Sequence, residues 1–306
     1  MASSLTDPQL VFAANKALVA ASPAITRVMQ FATDFTADAA QPGATMNVHV
    51  FDTTAATAYN ASSNNYGTVN GSIANASVTF ANRVKKTYAY NPTDKLATNP
   101  TIWSRMGEAA GVAIARALDG VVSGLPVLAN VPKTSPGSSA NEVVFAGSAI
   151  TKGALAGLLA SVDAVGADPA RTVLLLTPAK FAEVLSLLDA SVYGGADAIR
   201  GGVVPGLYGF KAVMQAHLST VSTEKLTGAL IPEDAIVVAG RTIPADDMGG
   251  GAECGFTTDE ESGLTVGTYA FVDHATREHK FTMEALFGAA VVQPQKCVRL
   301  VSSATA

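Results

Sequence analysis

Two periodicities of apolar and polar positions divide the chain. The longest helical one runs from Asn99 to Leu125, with apolar residues at Ile102, Met106, Ala110, Ala113, Ala117 and Val121. Steps of three and four hold these on one helical stripe. Arg105, Glu108, Arg116 and Asp119 fall on the far side. Asn99 is a capping residue, and Pro100 suits the first helical position, where its missing N–H has no partner to lose. Gly124 and Pro126 end the segment. The predicted helix is roughly 36 Å long and reads as a spine lying across a sheet. Gly111 and Gly120 weaken it by about 1 kcal/mol each against Ala, yet small side chains let another backbone come close.

Residues 1–45 carry weaker helical spacing, from Leu10 to Ala20 and again from Ile25 to Phe31, interrupted by Pro23 and followed by Pro42-Gly43. This segment reads as an arm, too broken for a core of its own and lying along something else. The period then changes to two. Met46, Val48 and Val50 face one way and Asn47, His49 and Phe51 the other, as in a half-buried strand. Ala76 to Tyr90 is a second strand of mostly β-forming residues. The polar segment between them is too long for a structureless loop in a compact domain. It reads as the tip of a two-stranded hairpin extended from the body. Such a hairpin is marginal alone in water and requires a neighbouring surface.

Beyond the spine, residues 126–141 form a Pro/Ser linker, and an α/β region follows. Glu142 to Ala146 predicts a short strand. Thr151 caps a helix with Leu155, Leu158, Leu159 and Val162 inward, ending at Gly166. Arg171 to Leu176 is a buried strand, and Thr177-Pro178 opens a helix with Phe181, Val184, Leu185 and Leu188 inward. A Gly-rich run from Gly194 to Gly209 leads into a strand, Lys211 to His217. Ala235 to Ala239 is another. Asp246 to Gly263 reads as a flexible acidic loop. Leu264 to Val272 and His279 to Val292 are strands joined at Asp273 to Arg277, and Lys296 to Val301 closes the chain.

A chain of 306 residues is long enough for two cores. Only 15% of its residues are charged, against a usual value of about 25%. A monomer with so few charges would be poorly solvated, so much of its surface is expected to be covered by further copies. An Ala- and Gly-rich soluble protein with small side chains is the plainer alternative. The net charge of −5 gives no broad attraction to nucleic acid. Cys254 and Cys297 lack metal-site spacing and are expected as buried free thiols, which fits a reducing cytoplasm. No secretory pattern opens the sequence, and no membrane span is expected.

The sequence holds no nucleophile elbow, phosphate loop or dinucleotide fingerprint. Gly147 to Ala154 (GSAITKGA) only superficially resembles a phosphate loop, because its Lys precedes the second Gly. The Gly194–Gly209 run suits a flexible loop at a subunit contact better than a ligand cradle. His49, His217, His274 and His279 stand far apart. Asp273-His274 and Glu278-His279 read as polar residues of a turn rather than metal ligands. Asp246-Asp247 and Asp259-Glu260-Glu261 lack the spacing of a calcium loop. Lys85-Lys86 reads as a charged strand face. No catalytic residue, cofactor or metal is expected, and no enzymatic activity.

The order of these parts is distinctive: broken arm, long hairpin, spine helix, α/β region with a Gly-rich loop, then a return to long strands. It resembles the major capsid proteins of tailed phages, the Hong Kong 97-type fold. The stretches that carry the resemblance are Val78–Leu125 (VTFANRVKKTYAYNPTDKLATNPTIWSRMGEAAGVAIARALDGVVSGL), Thr172–Gly195 (TVLLLTPAKFAEVLSLLDASVYGG) and Gly206–Leu218 (GLYGFKAVMQAHL). The resemblance implies an α+β fold. Its parts would be an N-terminal arm (1–45), an extended β-hairpin loop (46–92), a peripheral domain with the spine helix (93–125 and 265–306) and an axial α/β domain (126–264). It implies a homo-oligomer that self-assembles into pentamers and hexamers of an icosahedral head. That head would enclose double-stranded DNA without sequence-specific binding. A separate scaffolding protein, a portal and decoration proteins would be partners, with assembly in the host cytoplasm and a final place in the virion. Subunit contacts are expected at Tyr59, Tyr66, Arg83, Lys85, Gly194, Gly195, Gly201 and Gly202. The arm is too short for the cleaved scaffolding segment of some members. The hairpin tip from Thr53 to Ala74 contains no Lys, so no covalent cross-link of the shell is expected.

Two other readings stand beside this one. An encapsulin, a cellular shell of the same fold that packages an enzyme, would have the same pattern. An α/β hydrolase would use a Ser with His274 or His279 and Asp273, but the elbow that such an enzyme uses is missing.

Overall fold

The computed structural model describes residues 8–34, 45–50, 74–90, 100–127, 129–131, 141–145, 149–187, 203–216, 218, 226–241, 253–258, 264–273, 275 and 278–302. Helix α1 (Pro8–Val28) is followed by three strands, β1 (Thr33–Asp34), β2 (Thr45–Val50) and β3 (Ala74–Thr79). Strand β4 (Asn82–Tyr90) leads to the spine helix α2 (Pro100–Ser123) and the short strand β5 (Glu142–Val144). Helix α3 (Lys152–Ala164), strand β6 (Thr172–Leu176) and helix α4 (Pro178–Leu187) come next. Strands β7 (Val203–Pro205), β8 (Ala212–Gln215), β9 (Leu226–Pro232) and β10 (Ile236–Arg241) precede β11 (Glu253–Thr258). The long pair β12 (Thr265–Asp273) and β13 (Glu278–Val291) and the final strand β14 (Val298–Val301) complete the order.

Two six-stranded sheets organise the fold, a large one and a mixed one. The large sheet runs β1-β10-β13-β12-β11, with β4 also paired to β13; the mixed one runs β5-β14-β9-β6-β8-β7. The sheets do not divide at residue 264. Strands β10 and β11 belong with β12 and β13, whereas the last strand, β14, crosses back between β5 and β9. Alternation along the mixed sheet makes two cores. Val173, Leu175, Met214 and Ala229 face the core that also holds α1, α2 and the large sheet. Leu174, Leu176, Val213 and Leu230 face α3 and α4. A strand buried on both faces loses the polar alternation, as the apolar run Val173–Leu176 of β6 shows.

Helix α3 is built as its sequence dictates. The Thr151 hydroxyl accepts from Ala154 N at 3.1 Å, and Leu155, Leu158 and Val162 are buried. At its end Gly166 takes φ +69, and the N–H groups of Gly166 and Ala167 donate to the carbonyls of Asp163 and Val162. That left-handed residue closes a Schellman turn that a side chain would strain.

The arm differs from expectation. Helix α1 continues through Pro23. Pro23 lies on the exposed face, and so does Val19, whose carbonyl loses its donor; water can take that donor's place. The other face buries Ala13, Ala17, Ala21, Ile25 and Val28. This face lies on α2. A Cβ built on Gly107 would stand 3.2 Å from Ala13 Cα, and one on Gly111 would stand 2.7 Å from Ala17 Cα. The two helices therefore run side by side in the same direction, with glycine as the only side chain that fits at the crossing.

The buried stripe of α2 is also rotated from the predicted one. Ala110, Ile114, Leu118 and Val122 are buried, whereas Ala113, Ala117 and Val121 sit at the margin. The stripe rotates because α2 is covered from two sides, by α1 and by the large sheet. Burial of a side chain such as Ile114 stabilises by about 1.5–3 kcal/mol.

The predicted strand from Ala76 to Tyr90 is two strands. β3 pairs antiparallel with β2 from Thr45↔Thr79 to Val50↔Ala74, and β4 pairs with β13 instead. The base of the β2–β3 pair lies on the chain's own body, where Val48 and Val78 pack with Val237 and Val292. Gly288 allows that approach, since a Cβ there would stand 2.9 Å from Val78 Cγ1. The acidic segment from Asp246 to Gly263, read as a loop, contains strand β11.

Candidate functional site

A buried carboxylate lies at the centre of the large sheet. Phe281, Met283, Ala285 and Phe287 of β13 face the helices, so Glu284 faces the opposite way, yet it is fully buried. Arg83 of β4 covers it with two prongs. Its Nη2 lies 2.7 Å from Oε1 and its Nε 3.1 Å from Oε2. From the other side Tyr269 of β12 donates its hydroxyl to Oε2 at 3.0 Å. Burial, and then the charge of Glu284, push the Tyr269 phenol up to about 12, so it remains a donor at neutral pH. The Tyr269 ring stacks against Phe271 with centroids 6.0 Å apart. The Thr87 and Thr282 hydroxyls share a 2.9 Å hydrogen bond on the same face. A carboxylate held by three donors has little capacity left to act as a base. What it does is fasten β4, β13 and β12 together.

A second cluster fastens α1. Asp119, expected on the solvent side of the spine, is only 3% exposed. Its carboxylate pairs with Arg27 and accepts from the Ser123 hydroxyl at 3.2 Å. Just beyond the helix, Lys211 donates to the Gln30 carbonyl at 3.0 Å and pairs with Glu233 at 3.2 Å. The Thr33 hydroxyl donates to the Glu233 carbonyl at 2.9 Å. A third cluster holds the last strand. Arg299, 1% exposed, donates to Glu142 at 3.1 Å, and the Asn141 amide donates to the carbonyls of Pro294, Gln295 and Cys297.

The residues singled out from sequence fall as follows. Arg83 lies in the Glu284 cluster, an intrachain role that sequence spacing did not predict. Lys85 is exposed on β4, directly across from Glu284 in register. Tyr59, Tyr66, Gly194, Gly195, Gly201 and Gly202 lie outside the described residues. Of the residues weighed for a hydrolase, Asp273 is held by Lys280 Nζ at 2.5 Å and by Ala275 N at 2.9 Å. His279 is in β13 opposite Val272, and His274 lies outside the described residues. His49 meets Asn75 across the β2–β3 pair at 2.6 Å. Among the described residues no three His, Cys, Asp or Glu side chains gather as metal ligands, and no helix is long and apolar enough to cross a membrane. Cys297 is a buried free thiol, pushed up to about 12 by its burial.

Glu284, Tyr269 and Asp119 were not marked by sequence reasoning. The only signal was a Glu set among Met283, Ala285, Leu286 and Phe287, and a Glu on the alternate face of a strand looks solvated until its partner is known.

No family model matches the sequence, and no curated protein matches it. Solved structures do. The capsid of the cyanophage P-SCSP1u is similar over 89% of this chain and 86% of that one, with TM-score 0.55 and 14% identity. The chain has a phage-capsid fold. The capsid of an empty GTA particle is similar over 90% and 95%, with TM-score 0.51 and 15% identity. A virus-like particle from Pyrococcus furiosus covers 94% of this chain and 98% of that one, with TM-score 0.50 and 11% identity. The likeness runs over nearly the whole chain, and the mixed α+β architecture agrees with the one expected from the sequence.

Proposed function

We propose that this chain is the structural shell protein of a tailed-phage head, assembling into pentamers and hexamers around double-stranded DNA. The observation that carries the reading is the capsid fold along nearly the whole chain. Two features support it. With 15% charged residues the surface suits cover by further copies. The clusters at Glu284, Asp119 and Arg299 tie elements together and leave their acids engaged, as a load-carrying part requires. In this reading residues 1–45 are the arm and 46–92 the extended loop. The rest of the large sheet, with α2, is peripheral, and the mixed sheet with α3 and α4 is axial. DNA is held by enclosure, without sequence-specific contacts.

A second reading, a cellular compartment of encapsulin type around a cargo enzyme, is favoured by the likeness to the Pyrococcus furiosus particle. Electron microscopy of the native assembly, with nuclease-protected nucleic acid assayed on the same sample, separates the two. Icosahedral particles holding long double-stranded DNA support the phage head. Closed particles filled with protein support the compartment. Monomers from the native source would overturn both.

A further inference from the structure

Helices α1 and α2 together present an outward face that is poor in acids. They hold four bases (Lys16, Arg27, Arg105 and Arg116) and two acids (Glu108 and Asp119), in a chain of 20 bases and 25 acids. Both acids are engaged: Asp119 pairs with Arg27, and Glu108 accepts from the Ser104 hydroxyl at 3.1 Å. Arg105 and Arg116 are exposed on the side of α2 opposite Ile114 and Leu118, and among the described residues neither meets a carboxylate. Their separation of three helical turns puts them on one stripe, about 16 Å apart along the axis. Lys16 stands on the side of α1 turned away from Leu18 and Ile25, its ammonium 5.7 Å from the centre of the Phe12 ring. We infer that, in the phage head proposed above and resting on that reading, this face lies against the enclosed double-stranded DNA, with Arg105, Arg116 and Lys16 on its phosphates.

Other faces offer phosphate less. Arg83, Arg171, Lys180, Lys211, Lys280 and Arg299 each stand beside an acid. Lys85 and Lys86 are neighbours on a strand, so they point to opposite faces of the sheet and make no common surface. On α2, by contrast, the arginines are flanked by Ala109, Val112, Ala113 and Gly120, side chains too short to hold a rigid duplex away. The net charge of −5 does not oppose the contact. At physiological salt, charges beyond about 8 Å are screened, and a phosphate senses the nearest side chains first. An apolar protein segment is the competing occupant, because Phe12, Val19 and Val112 are exposed here. The two unpaired guanidiniums favour the polyanion: their forks match phosphate oxygens, which a duplex supplies at one charge per about 1.7 Å. Phosphate contacts carry no sequence information, so DNA of any sequence is held alike.

The test is binding of the full chain to a mixed-sequence DNA duplex of about 30 base pairs, followed by fluorescence anisotropy from about 50 to 200 mM salt. Arg105→Gln with Arg116→Gln is expected to weaken binding about tenfold at the lower salt and to make the slope of log K against log salt shallower by about 2. Glutamine forms helix about as well as arginine, so the far-UV circular dichroism and the urea midpoint should hold. Lys16→Gln alone, on the other helix, should lower the slope by about 1, and it tests the face should the first variant not fold. Lys85→Gln with Lys152→Gln removes equal charge from beyond the large and the mixed sheet and should keep the wild-type slope. A wild-type slope in the helix-face variants, an equal loss in the Lys85 and Lys152 control, or no duplex binding by the wild type would overturn the contact. Native particles that protect long DNA would then keep the shell without this contact. Native particles filled with protein would overturn the phage-head reading and the contact together.

Discussion

Arg83 and Glu284 stand 201 residues apart in sequence, yet one guanidinium holds both oxygens of one buried carboxylate. The carboxylate is fully buried, while the arginine is 42% exposed. Water therefore weakens the pair from one side only. Arg83→Ala removes two charge-assisted donors from a carboxylate otherwise enclosed and should cost about 1–3 kcal/mol, read as a lower urea midpoint. Replacing both, Arg83→Leu with Glu284→Leu, should recover much of that loss. An equal loss in single and double variants would mean that the guanidinium does not hold the carboxylate.

The α1–α2 crossing decides between propensity and packing. Alanine is the better helix former by about 1 kcal/mol. Gly111→Ala nevertheless has its Cβ 2.7 Å from Ala17 Cα, backbone that cannot rotate away. A net loss of about 1–3 kcal/mol is expected. Gly120→Ala meets nothing within 4 Å and should stabilise the protein, by up to about 1 kcal/mol. Thermal unfolding of the two variants should thus move in opposite directions.

Asp119→Ala should destabilise by about 2–3 kcal/mol, since it removes the partner of Arg27 and the acceptor of Ser123 from a buried site. Asp119→Asn keeps the acceptor and should lose less. A solvent-facing Asp119 would make both variants neutral in chemical denaturation.

Alkaline pH should reveal Cys297. Its folded pKa is raised, so its contribution is complete below the unfolded thiol value and fades as pH climbs towards about 12. Above roughly pH 8.5 the unfolded chain ionises this thiol and the folded chain does not. Denaturation midpoints should fall from there upward, and Cys297→Ala should flatten the fall below pH 10, before Tyr269 contributes. The native thiol should also resist a thiol reagent at pH 8 and react once unfolded.

Deleting residues 56–73 leaves β2 and β3 whole and should spare subunit folding, because Val48 and Val78 already seat that pair on Val237 and Val292. Shell closure should fail, as the proposed partners of the loop belong to other copies. Normal particles from the deletion would refute the extended-loop assignment. In wild-type shells, dissociation to single chains on a denaturing gel is expected, since the tip from Thr53 to Ala74 has no lysine.

The sequence by itself determined what neighbouring residues settle among themselves. The spine from Pro100, the Thr151 cap, the Gly166 stop and the buried strand β6 follow from local periodicity and from the backbone limits of Pro and Gly. The order of such elements also carried the resemblance to a capsid. Tertiary structure alone decided which faces are dry. Asp119 looked solvated until Arg27 arrived from another helix, and Glu284 until Arg83 and Tyr269 closed over it. Pro23 looked like a break until the Val19 carbonyl that it leaves open fell on the wet side of α1. The split of β3 from β4 and the pairing of β11 depended on distant strands that supplied or withheld hydrogen bonds. Local pattern reports what a residue prefers; its burial and charge partners come from residues far along the chain, and only folding brings those together.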